Sequence, residues 1–257
     1  MQQHAGSYVA ANGVRTYYEV DGEGEPLLLL HGGTAPIETF AAQRAALAPH
    51  YRCYLPERRG HGRTPGVAGP LTYEIMTDDT VAFMAAMGIA RAHIVGWSDG
   101  GIIGMIMAMR RPDLVRTLVS IGGNFHYDGL TTEFRESMLA WTPETFFQPL
   151  VELHGRMSPD GPEGFRVMLK KVVENATTGP TLTPADLAKI AAPTLVLAGD
   201  DDCCTLEHTI ELYRSVPNAQ LCIVPGASHT VLLEKPDLTN RVILDFLASP
   251  ARPGSAL

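Results

Sequence analysis

The sequence predicts an α/β fold: a mostly parallel, eight-stranded sheet with helices packed on both faces. Three observations carry that prediction. Short, continuous apolar runs recur along the chain, as in strands buried on both faces. Longer segments with helical spacing lie between them, so strand and helix alternate as in βαβ units. The 257 residues, 45% hydrophobic and 19% charged, are also enough to bury one large core.

In chain order, segments 7–11 and 14–20 are β-rich and flank Asn12-Gly13, a two-residue hairpin signal. The sheet is therefore expected to open with an antiparallel edge. A Gly-rich turn at 21–26 leads into four consecutive leucines, Leu27 to Leu30. Comparable runs at 52–55, 92–96, 114–121, 194–198 and 221–224 complete the eight strands. Helical spacing occupies 39–48, 73–87, 101–111, 206–215 and 236–247.

One stretch breaks the alternation. Residues 124–189 contain no convincing strand and read as amphipathic helices around 133–141, 144–157 and 163–175, punctuated by Pro143, Pro159, Gly161 and Pro180. The expected organisation is a core built from 1–123 and 190–257, with 124–189 inserted as a small helical cap. The insertion carries seven of the eighteen aromatic residues. Most should pack it onto the core, while Phe125, Trp141 and Phe146 are candidates to face a ligand beneath it. The tail from Ser249, with Pro250, Pro253 and Gly254, is expected to fray.

Composition excludes several classes of partner. Asp plus Glu number 28 against 20 for Lys plus Arg, and a net charge of −8 repels nucleic acid phosphates and anionic lipid. A small molecule is the expected partner; oligomeric state is not legible. Four scattered cysteines, Cys53, Cys203, Cys204 and Cys222, make no disulfide framework, and reduced thiols fit a cytoplasmic protein. Cys203 and Cys204 read as small loop residues. No Cys-x-x-Cys or His-x-x-x-His spacing calls for a metal, and no cofactor is expected. The first eleven residues lack the charged-then-apolar pattern of a secretory leader, and the apolar runs fall short of the ~20 residues of a membrane span.

The strongest chemical signal is Gly96-Trp97-Ser98-Asp99-Gly100-Gly101, directly after a predicted strand and opening a predicted helix. A serine at the tip of so sharp a turn needs small residues two before and two after it, so that the backbone closes without clash. Serine is a poor nucleophile alone and needs a base oriented by a third group. Both are available after later strands: Asp200-Asp201-Asp202 follows 194–199, and His229 follows Pro225-Gly226-Ala227-Ser228. Backbone donors for an oxyanion would come from Gly33, in His31-Gly32-Gly33-Thr34, and from Asp99. His31 and His61 are expected to brace turns, Trp97 to pack beneath the elbow, and Met84, Met87, Met105, Met107 and Met109 to fill core.

These markers together resemble the α/β-hydrolase superfamily over nearly the whole chain, in its serine hydrolase branch. The resemblance rests on His31-Gly32-Gly33, Arg59-Gly60-His61-Gly62, the Ser98 elbow, Gly199-x-x-Asp202 and Gly226-x-x-His229. It implies Ser98 as nucleophile, His229 as general base and then acid, and Asp202 as the residue orienting His229. Asp200 and Asp201 stay open, because three consecutive aspartates blur the register. A serine at position 98 argues against the dehalogenase and epoxide hydrolase branches, which carry aspartate there. The hexapeptide around Ser98 is similar to that of valacyclovir hydrolase-like bacterial esterases, which implies that Asp99 favours amine-bearing or neutral substrates. Thr34 joins Asp99 as a substrate-binding candidate.

The expected function is a serine hydrolase cleaving a small or medium carboxylic ester or lactone through an acyl-enzyme. Carbon–carbon bond hydrolysis, perhydrolysis, amidase activity and biosynthetic acyl transfer or cyclisation use the same constellation and stay open. A ligand-binding receptor or scaffold on this fold is the non-enzymatic alternative.

Overall fold

The structure, a computed structural model, describes residues 6–250. Most of the tail expected to fray lies outside the described residues. Eight strands form one sheet: β1 (Ser7–Ala11), β2 (Val14–Asp21), β3 (Pro26–Leu30), β4 (Arg52–Pro56), β5 (Ala92–Trp97), β6 (Val115–Ile121), β7 (Thr194–Asp201) and β8 (Ala219–Ser228). Their spatial order is β1-β2-β4-β3-β5-β6-β7-β8. The pairs β1/β2 and β2/β4 are antiparallel and all others parallel, so β2 alone runs against the rest. The hairpin turn is the one Asn12-Gly13 predicts, with φ of 48° and 74° at its two residues.

The leucine run shows how the sheet divides its core. Alternate side chains point to opposite faces, so Leu27 and Leu29 join one apolar layer while Leu28 and Leu30 join the other. Against the first lie α1 (Ala41–Leu47), α9 (Val231–Glu234) and α10 (Pro236–Ala248), through Leu47, Leu232 and Phe246. Against the second lie α2 (Tyr73–Ala86), α3 (Asp99–Arg110) and α8 (Leu206–Ser215), through Phe83, Ile103 and Leu212. Met84, Met105 and Met107 are fully buried there, as core filler should be.

Between β6 and β7 the chain forms α4 (Thr132–Leu139), α5 (Gln148–Met157), α6 (Gly161–Thr178) and α7 (Pro184–Leu187), with only isolated bridges at His126 and Leu130. Phe165, Met168, Leu169 and Val172 follow helical i, i+3, i+4, i+7 spacing on α6 and are buried in the core layer. That stripe ties the insertion to the sheet.

Differences from the predicted elements are local. The helix expected from 101 begins at Asp99, directly after Ser98. The segment 39–48 divides into a 3-10 turn, Ile37–Phe40, and α1. Strand β8 runs past Pro225-Gly226 to Ser228, because Gly226 takes φ 60° and pairing resumes at Asp201 with Ser228. The short helices α7 and α9 are too brief for periodicity to reveal; α7 is held by a capping box between Thr183 and Asp186.

Candidate active site

Ser98 stands between β5 and α3 with φ 54° and ψ −119°, a conformation that costs about 1–3 kcal/mol and persists only where the surroundings enforce it. Glycine is required on either side. A Cβ on Gly96 would stand 2.2 Å from the Gly100 carbonyl oxygen, and one on Gly100 would stand 1.9 Å from the Leu30 carbonyl oxygen. The elbow therefore crosses over the end of β3 at backbone contact distance.

Beyond β8, the His229 ring meets both other groups. Its Nε2 lies 3.0 Å from Ser98 Oγ and its Nδ1 lies 2.8 Å from Asp202 Oδ1. With Asp202 ionised, Nδ1–H donates to the carboxylate and Nε2 is left to accept the serine proton. The Asp202 side chain is 1% exposed, and its Oδ1 also accepts from the Cys204 N–H at 3.1 Å. Asp200 and Asp201 are exposed, and Asp200 accepts from the Ala227 N–H instead. Of the three aspartates, Asp202 is the one at the histidine. Trp97 lies under the ring and donates from Nε1 to the His229 carbonyl at 2.8 Å.

Burial opposes charge on both His229 and Asp202, and their mutual attraction overcomes it. The histidine is held well above its ordinary value, while the carboxyl is held below its own. The neighbouring Cys203 thiol is pushed far up by its hydrogen bond to Cys204 and by burial. Cys203 and Asp202, both beside the ring, raise His229 against its burial.

Arg58, buried, holds the turn after β3. Its guanidinium donates to the carbonyls of His31 and Gly32, the latter at 2.7 Å. His31 Nε2 accepts from the Arg58 N–H at 3.1 Å, and its Nδ1 lies 2.9 Å from the Gly32 carbonyl. His61 Nε2 accepts from the Thr34 N–H at 3.3 Å. Burial pushes both histidines well below the ordinary value, so they brace this turn as neutral rings. Gly33 passes so close to the elbow that a Cβ there would stand 2.8 Å from Asp99 Oδ2. Asp99 is the first helical residue of α3, where a backbone N–H has no intrahelical partner. Its side chain is 10% exposed, and its carboxylate accepts from the Tyr73 hydroxyl at 3.1 Å and lies 3.9 Å from Arg58 Nη2.

Ser98 and His229 open into a cavity of about 350 Å³ whose walls come from the core and from the insertion. Thr34, Asp99, Trp141 and Phe146, all expected near a ligand, line it together with Gly33. Phe125 does not belong to that lining: its ring stacks on His208 with centroids 3.9 Å apart, and it is buried in the core. Phe134, Met138, Phe147, Leu150 and Val172 add to the apolar walls, and Tyr73 and Cys203 also reach them; Trp97, expected only to pack beneath the elbow, is exposed to the cavity too. The helical i, i+4 pair Phe134 and Met138 was a legible signal for one wall. Trp141 packs edge-on against Phe134 and Phe146 at 5.5 and 5.1 Å, making a continuous aromatic roof.

Two other features bear on ligands. Asp202, Cys203 and His229 bring a carboxylate oxygen, a sulfur and a ring nitrogen within 4.8 Å of one another, a grouping that linear spacing does not reveal. A second cavity of about 360 Å³ lies between the 59–71 loop and α6. Its polar groups have partners: Arg59 pairs with Asp79, Lys171 donates to the Val67 carbonyl and Asp160 accepts from the Gly66 N–H. It contains no serine–histidine pair. Among the described residues no helix is long and apolar enough to cross a membrane.

Known proteins resemble this chain along most of its length. A putative carbamate hydrolase, RutD, of Azorhizobium caulinodans is 30% identical over 256 residues, covering 90% of this chain and 94% of that protein. The serine hydrolase BPHL of Homo sapiens is 28% identical, covering 93% of this chain and 85% of that protein. Among solved structures, a serine hydrolase involved in carbazole degradation (CarC) superposes with a TM-score of 0.80 at 26% identity, covering 95% of this chain and 99% of that one. Residues 27–242 match the model of the alpha/beta hydrolase family, from the leucine strand through the elbow and past His229. With that match added to the eight-stranded sheet and its strand order, the chain is a member of the alpha/beta hydrolase family.

Proposed function

We propose that this chain is a serine hydrolase that cleaves small or medium carboxylic esters or lactones through an acyl-enzyme on Ser98. The observation that carries the reading is the hydrogen-bonded series Ser98–His229–Asp202 at the floor of an apolar cavity of about 350 Å³. Ser98 Oγ attacks the carbonyl carbon as its proton passes to His229 Nε2. The N–H groups of Gly33 and Asp99 hold the oxyanion, each such donor contributing about 10²–10³-fold in rate. The tetrahedral adduct then collapses, the leaving alkoxide takes the proton from Nε2, and water repeats the sequence to release the acid. The helices of 124–189 act as the cap that roofs the cavity and excludes water.

The cavity's own charge bears on the substrate. Asp99 gives the floor beside Ser98 a carboxylate, which disfavours anionic esters and admits neutral or amine-bearing ones. Arg58 and Tyr73 already answer part of that charge, so the preference for an amine is modest. Carbamate cleavage is a second reading, favoured by the 30% identity to a putative carbamate hydrolase; the same attack on a carbonyl carbon serves both.

A substrate panel tests these claims together. It contains p-nitrophenyl esters, a lactone, a carbamate, and a matched pair of an α-amino ester and its uncharged analogue. The parent protein should turn over at least one ester, and Ser98→Ala should lower that rate by about 10⁴–10⁶-fold. Asp99→Asn should lower the amine-to-neutral ratio. Full activity in Ser98→Ala would overturn the acyl-enzyme reading, and an unchanged ratio in Asp99→Asn would overturn the role given to that carboxylate.

A further inference from the structure

The grouping beside the cavity floor has donors that ester hydrolysis does not use. Asp202 Oδ2 is buried and accepts no N–H or O–H, although the same carboxylate's Oδ1 accepts two, and the Cys203 thiol is the further group that interacts with this carboxylate. A buried carboxylate oxygen that accepts no N–H or O–H is costly, and it marks a point where a cation or donor would be stabilised. The space next to it is kept open by Gly122, at φ 58°: a Cβ there would stand 2.9 Å from both Asp202 Oδ2 and His229 Nδ1. Cys203 Sγ completes a set of oxygen, nitrogen and sulfur within 4.8 Å of one another. Cys203 and His229 both line the cavity, so the grouping is reached from it. Cys204 lines the same cavity, and its thiol donates to the Gly122 carbonyl at 3.5 Å.

We propose that Asp202, Cys203 and His229 form an inhibitory site for a thiophilic divalent cation of the Zn²⁺ class, entered from the substrate cavity. A mixed carboxylate, imidazole and thiolate set with one position left for water or ligand suits Zn²⁺. Bonds of about 2.0–2.3 Å require the three ligand atoms to close to roughly 3.5 Å apart. The proposal requires the Cys203 side chain to turn toward the other two ligands. Binding deprotonates the thiol, and that proton goes to solvent. At His229 the metal takes Nδ1, the nitrogen facing Asp202, and the ring proton moves to Nε2. Nε2–H then donates to Ser98 Oγ in place of accepting its proton, and the serine loses its base. Coordination also withdraws Asp202 from its hydrogen bond to the ring.

The inhibition rests on the Ser98 hydrolase reading, whereas the binding does not, so the two are tested separately. Binding is read by titrating the purified protein with ZnCl₂ in a calorimeter and with CoCl₂ in a spectrophotometer. One equivalent should bind, and Co²⁺ should show a thiolate charge-transfer band. Cys203→Ser should lose that band and weaken Zn²⁺ binding at least tenfold, as should Cys203→Ala. Cys222→Ser, on β8, should behave as the parent, and circular dichroism of each variant checks that it is folded. Ser98→Ala should still bind. In ester hydrolysis Zn²⁺ should inhibit reversibly, with EDTA restoring the rate and the midpoint shifting at least tenfold in Cys203→Ser relative to its own metal-free rate. Absence of the Co²⁺–thiolate band, or equal Zn²⁺ affinity in the parent and both Cys203 variants, overturns the site. Binding that depends on Cys203 without slowing hydrolysis overturns the inhibition. If no ester is turned over at all, the Ser98 reading has failed and the binding result stands by itself.

Discussion

At the scale of single residues, the proposed chemistry depends on where one proton sits in the Ser98–His229–Asp202 series. The base form of His229 is neutral, and the Cys203 and Asp202 side chains beside it raise its pKa above the ordinary histidine value of about 6.5. Activity requiring neutral His229 is lost as pH falls through that raised value. The acid limb of kcat/KM should therefore lie above pH 6.5. Asp202→Asn should lower the rate by about 10⁴-fold. Because one of the groups that raise the pKa is gone, the limb of the residual activity should move to lower pH. A pH–rate profile with the same limb in both proteins would contradict this account. The sequence made Ser98 and His229 legible through their turns, since each follows a strand end marked by glycine. It left Asp200, Asp201 and Asp202 unresolved because adjacent residues share one composition. Only pairing of β7 with β8 turns Asp202 inward while its two neighbours remain exposed.

At the scale of elements, the elbow is held by close backbone packing between α3 and β3. Two glycines of α3 separate a rigid contact from a yielding one. A Cβ on Gly100 would stand 1.9 Å from the Leu30 carbonyl oxygen, which β3 fixes in the sheet. On Gly104 it would meet a Leu118 methyl at 2.6 Å, and that side chain can rotate. Gly100→Ala should cost about 3 kcal/mol or more, as overpacking against rigid surroundings does. Gly104→Ala should cost less, since alanine recovers about 1 kcal/mol of helix propensity. Urea denaturation of both variants measures the difference; equal losses would show that the elbow tolerates displacement. Burial on both faces made central strands such as β3 and β5 legible as apolar runs, whereas the more exposed β1 and β2 were legible through the Asn12-Gly13 turn between them. Short helices such as α7 and α9 span barely one turn, so they show no period; α7 is marked by its capping box, and α9 has no side-chain cap.

At the scale of the whole molecule, the long-range contacts are what sequence could not supply. The five markers pointed to the family, but the cavity walls come largely from helices whose aromatic residues mostly pack against one another. Trp141 and Phe146 reach the cavity, while Phe125, with similar composition around it, stacks on His208 in the core. Side-chain type alone does not separate these cases; the partner each ring packs against does. The meeting of Cys203 with His229 and Asp202 is equally invisible in one dimension, since the histidine arrives from the far end of β8. The account's central claim, that Ser98 is a nucleophile activated by His229, is tested most directly by treating the folded protein with a fluorophosphonate and mapping the adduct by peptide mass spectrometry. A bond from Ser98 Oγ to phosphorus should form with loss of fluoride, one per chain, and disappear in Ser98→Ala. No adduct, or an adduct on another residue that persists in Ser98→Ala, would contradict it.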